Sequence, residues 1–118
     1  MAQIEQIAEA ALNRDSLRAR SLTQEFFREE AKLVDISKPK VADEKVMVMT
    51  AALLEMFASR MKQEAPAWTA EVGPLSEPIF LLKAAETMKR LRKLCETEAP
   101  EPLKKRKLFA PPNYLEFV

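Results

Sequence analysis

The stretch that decides the fold is Val46-Met47-Val48-Met49-Thr50-Ala51-Ala52-Leu53-Leu54-Glu55-Met56-Phe57-Ala58-Ser59-Arg60-Met61. At about 100° per residue, Val46, Met49, Leu53, Leu54, Met56, Phe57 and Met61 cover roughly half the circumference of a helix. Val48, Glu55, Ser59 and Lys62 leave only a narrow polar strip. Asp43 has the side chain of an N-cap, which predicts a helix from Glu44 to about Gln63. A helix so apolar belongs in the middle of a bundle. It is too short for a bilayer span, and Glu55 at its centre would be costly in hydrocarbon. Ala65-Pro66 closes the segment, because a residue before proline is pushed out of the helical region.

Upstream, Ile4, Ile7, Ala8, Ala11 and Leu12 recur at helical spacing and define a first amphipathic helix. Asn13 or Asp15 can cap a second, whose apolar face carries Leu17, Leu22, Phe26, Phe27, Ala31 and Val34. The stripe can equally run unbroken through residue 15, so one helix or two both fit. Asp35 to Lys40 reads as a loop. Downstream the punctuation changes, since seven of the eight prolines follow residue 65. Trp68 to Leu75 is a connector with a Gly73-Pro74 turn. Ser76-Glu77-Pro78 opens a predicted fourth helix with the stripe Phe80, Leu81, Ala84, Ala85, Met88, Leu91, Leu94 and Cys95, ended by Glu98-Ala99-Pro100. A short helix is expected within Pro102 to Leu108, and Ala110 to Asn113 is extended or turned. No segment alternates with period two, so no sheet is expected. The reading is an all-α, single-domain bundle of four to five helices over residues 1–118, with long helices in 1–65 and proline-punctuated short helices in 66–118. An extended C-terminal tail packs across it.

The 118 residues carry a formal charge of +1, no histidine, one glycine (Gly73) and one cysteine (Cys95). Without histidine there is no serine-type or cysteine-type triad and no histidine-bearing zinc or di-iron site. A lone glycine cannot build a phosphate loop or a dinucleotide fingerprint. A lone cysteine excludes intrachain disulfides and iron–sulfur cages, and Cys95 on an apolar face reads as a buried, inert thiol. No cofactor, metal or catalytic residue is expected. Met1 to Gln6 starts polar, without a basic leader and a long apolar run, which predicts a cytoplasmic protein away from membranes.

Surfaces remain. Between residues 83 and 107 there are nine basic and four acidic side chains, a local charge of +5. Lys89, Arg90, Arg92 and Lys93 lie on the fourth helix; Lys104, Lys105, Arg106 and Lys107 follow it. They form a solvated helix face or a patch for an anionic partner. No aromatic side chains are interleaved for stacking on single strands, and Gly73 does not sit in a helix-turn-helix. Trp68 and Tyr114 occur in irregular segments, as core lids or interface anchors. The tail from Ala110 carries Tyr114, Leu115 and Phe117, apolar area suited to docking on the bundle or on another chain. Five methionines (47, 49, 56, 61 and 88) fill the core or form an adaptable seam. A homodimer stays open, since the Met-rich helix can be covered by its own chain or by a second copy.

Four stretches taken together have a likeness: Pro66-Ala67-Trp68-Thr69; Ser76-Glu77-Pro78; Arg90-Leu91-Arg92-Lys93-Leu94-Cys95 leading to Glu98-Ala99-Pro100-Glu101-Pro102-Leu103; and Ala110-Pro111-Pro112-Asn113-Tyr114-Leu115. In that order they resemble a group of small helical proteins of bacteria and cyanobacteria. The resemblance covers residues 66–118 and reaches the first 65 only through helix pattern. It implies an antitoxin-like partner in a toxin–antitoxin-type pair, beside a nucleotidyltransferase-like toxin, and it carries no active site. The expected function is therefore a non-enzymatic protein-binding module that restrains a partner protein. Its candidate contacts are Lys89, Arg90, Lys93, Lys104, Lys105, Arg106, Lys107, Tyr114 and Phe117, with Trp68 holding the connector. The alternative is a nucleic-acid-associated regulator that uses the basic patch at 89–107 against phosphates.

Overall fold

Eleven of the eighteen residues of α3 (Glu44–Met61) are buried, and the other elements are arranged around it. A computed structural model describes residues 3–29, 32–41 and 43–115 of the chain. Ala31 of the expected second stripe, Glu30 and Phe117 lie outside them. The α3 helix starts as its sequence demands: Asp43 accepts a hydrogen bond from the Lys45 amide at 2.9 Å. It ends on Lys62, whose φ of 56° places a lysine in the left-handed region where glycine is usual.

The choice between one N-terminal helix and two resolves as two. α1 (Ile4–Leu12) and α2 (Ser16–Glu29) are separated at Arg14, which has a φ of 59°. Asp15 is the cap of α2, accepting from the Arg18 amide at 3.1 Å. α1 packs on both α2 and α3. Phe26, Phe27 and Phe57 cluster at the core, with the Phe27 ring edge-on to Phe57 at 4.8 Å. Leu17, expected on the buried stripe, is 81% exposed in the first turn of α2. Two buried hydroxyls are satisfied within their own helices: Thr23 donates to the Ala19 carbonyl and Thr50 to that of Val46, each at 2.7 Å.

The C-terminal half departs most from expectation. The predicted fourth helix does not begin at Ser76. Residues 79–80 instead form a strand, β1 (Ile79–Phe80), parallel to β2 (Leu108–Phe109), with Ile79 opposite Leu108. Ile79 N–H donates to the Lys107 carbonyl and Leu81 N–H to that of Phe109, both at 2.9 Å. These long-range bonds outcompete the local helix, and two-residue strands are too short to show alternation. A 3₁₀ turn at Lys83–Glu86 follows, then α4 (Lys89–Glu98) and α5 (Glu101–Lys104). Met88, expected to be buried, is 55% exposed at the start of α4. The result is an all-α fold with one small parallel pairing. Its radius of gyration of 13.3 Å compares with about 13.5 Å for a compact domain of this length. Among the described residues no helix is long and apolar enough to cross a membrane.

Candidate interaction surface

The basic residues of 89–107 divide into an internal group and an external one. Arg106 is internal, only 2% exposed. Its guanidinium donates to Glu55 Oε1 at 2.6 Å, to the Pro102 carbonyl at 3.1 Å and to the Thr69 carbonyl at 2.9 Å. It therefore ties α3, the start of α5 and the 3₁₀ turn Ala67–Glu71 together. This corrects its assignment to a partner-binding face, because a buried, paired guanidinium is not presented to solvent. Lys105 reinforces the same carboxylate at 3.0 Å. Burial pushes the Glu55 carboxyl up, but the hydrogen bonds and charges of Arg106 and Lys105 outweigh it and hold it below its ordinary value.

The tail is internal too. Tyr114 is 7% exposed, and burial pushes its phenol up. Arg60 of α3 donates to the Tyr114 carbonyl at 2.6 Å and to the Pro112 carbonyl at 3.3 Å. Of the two docking modes for the tail, the chain uses its own bundle as far as Leu115, which corrects Tyr114 as a partner contact. Trp68 Nε1–H donates to the Ile36 carbonyl at 2.9 Å, so it does pin the connector, to the loop before α3. Cys95 is fully buried, and desolvation raises its thiol.

What stays outside is α4. Lys104 Nζ donates to the Thr97 carbonyl at 3.1 Å near the end of α4, and Lys107 Nζ lies 3.5 Å from the Ser76 carbonyl. Arg92 pairs with Glu96 at 3.3 Å and lies over the Phe80 ring, 4.8 Å from its centroid. Lys89, Arg90 and Lys93 are exposed, and their side-chain cations have no hydrogen-bond or ion-pair partner among the described residues. Their spacing puts them on one side of α4, opposite Cys95. The helix packs chiefly on the Lys83–Glu86 turn.

The charges of α4 run against its backbone. Its first turn holds Lys89 and Arg90 and no acid, Met88 provides no side-chain cap, and its last turn holds Glu96 and Glu98 and no base. A helix N-terminus favours anions, so local physics would choose the opposite order.

Sequence reading missed three partners: Glu55, Arg60 and Arg14. Arg14 donates to the Phe80 carbonyl at 3.1 Å and pairs with Glu86, whose carboxyl it holds low. The lone carboxylate at the centre of α3 was the available signal, since a charge on a buried helix implies an internal counter-charge. Among the described residues no cluster of three or more His, Cys, Asp or Glu is arranged to hold a metal. No protein-family model, curated protein or solved structure matches the chain. The likeness described above thus rests on its four stretches alone.

Proposed function

We propose that the chain is a non-enzymatic, antitoxin-like docking module that grips an acidic face of a partner protein through α4. The observation that carries this reading is the unpaired cationic row Lys89, Arg90 and Lys93, kept at a helix start where it costs stability. A rule broken locally without a local gain points to an external use. The row is narrow. With +5 between 83 and 107 and a net charge of +1, the remainder of the chain carries −4. A row of three cations matches a protein face of its own size, whereas a nucleic-acid strand is held by a longer track of phosphate contacts. Exposed Met88 beside the cations adds an apolar contact that phosphates cannot use.

The test is recovery of the tagged chain from its native cell with quantification of what accompanies it. A stoichiometric, nuclease-insensitive protein is expected, released by high salt and lost in the Lys89→Glu/Lys93→Glu variant. Recovery of nucleic acid alone, or a partner indifferent to that variant, overturns the reading and favours the phosphate-binding alternative.

A further inference from the structure

Away from α4, a groove of about 400 Å³ opens around the start of α3. Its lining is more polar than apolar: Asp43, Glu44 and Glu71 supply carboxylates, Lys38 is its one cation, and Val41, Met47 and Val72 contribute apolar side chains. A neighbouring hollow of about 280 Å³ shares Glu44 and adds Glu77, and Lys45 also lines it. Asp43 and Glu44 suit a helix N-terminus and are explained locally. Glu71 and Glu77 lie outside every α-helix and have no such reason to be there. The α4 tip has the converse character: one protruding thioether, Met88, next to Lys89, Arg90 and Lys93.

We infer that the groove receives the Met88 tip of α4 from a second copy of this chain. A row of cations meets a groove lined by three carboxylates, with Met88 facing a few apolar side chains, and opposed charges of this kind fix register and steer encounter. The two patches are different surfaces of one molecule, so the contact is head-to-tail, leaving a free groove at one end and a free α4 at the other. The inference does not depend on the acidic partner proposed above. Such a partner competes for the same helix, and self-association covers α4 until the partner arrives. Because the charges are exposed, the contact weakens as salt shortens their reach to about 3 Å at 1 M.

The experiment is sedimentation of the full chain over a concentration series. In low salt the average mass of the wild type rises with concentration; at ~1 M salt it falls to that of the monomer. Lys89→Glu/Lys93→Glu and Glu44→Lys/Glu71→Lys each make the two patches alike in sign, so each alone associates at least about tenfold more weakly. Mixing the two restores association, since opposite patches again face each other. Circular dichroism checks that each is folded, and Glu71→Lys alone, outside the helices, serves if Glu44→Lys disturbs α3. A wild type monomeric throughout the low-salt series, variants that associate as it does, or a mixture that stays monomeric would each overturn the inference. The Glu44→Lys/Glu71→Lys variant keeps its α4 cations and so still captures an acidic partner. Loss of partner capture and loss of self-association are therefore separately visible.

Discussion

Glu55 and Arg106 meet across 51 residues of sequence, and between them they hold the C-terminal segment onto α3. Removing one partner of such a buried pair leaves the other charge uncompensated, so Glu55→Gln should cost about 3 kcal/mol in urea unfolding. The pH dependence has a definite sign. A carboxyl held low when folded adds stability that is complete above its unfolded value, about 4.3, and is lost as pH falls through the folded one. Acid unfolding of the wild type should therefore steepen below about pH 4.3, and thermal melts of Glu55→Gln should show a shallower acid limb, since Glu86, also held low, remains. Lys62 allows the opposite change. A lysine at φ 56° carries left-handed strain of about 1–2 kcal/mol that glycine avoids, less the glycine's own entropy in the unfolded chain. Lys62→Gly should raise stability by about 0.5–1 kcal/mol. At this scale the sequence was legible where chemistry is local, as at Asp43 and Asp15. It was not legible at Arg106, because a run of four basic residues does not reveal which one turns inward.

Among the elements, α3 could be read to within two residues at its ends because a wide apolar face admits one interpretation. Val48, assigned to the polar strip, is nevertheless buried, and Met61, assigned to the apolar face, is exposed at the last turn. The segment 76–88 could not. Its stripe suits a helix, yet Ile79 and Leu81 spend their amides on carbonyls of residues 107 and 109, partners invisible to any window of local spacing. α4 permits a prediction that separates stability from use. Lys89→Glu/Lys93→Glu should stabilise the helix by about 0.3–1 kcal/mol through the backbone dipole while abolishing partner capture. A higher melting temperature together with unchanged capture would mean that the cations serve neither purpose.

For the whole molecule, the tail belongs to the fold. Tyr114→Ala should cost about 3 kcal/mol, as for other buried aromatic truncations. Chemical denaturation measures this, and at temperatures where the variant remains folded the α4 surface should be unaffected. The candidate surface was legible as a basic cluster, but its true extent, Lys89, Arg90 and Lys93, emerged only when Arg106 and the tail were seen to face inward. The β1–β2 pairing has one more consequence. It brackets residues 82–107, within which Cys95 and Leu103 are buried and α5 packs on α3, so α4 is held at both ends and along its inner face. A protease that nicked α4 would therefore release neither half, because the pairing and α5 each hold the downstream piece.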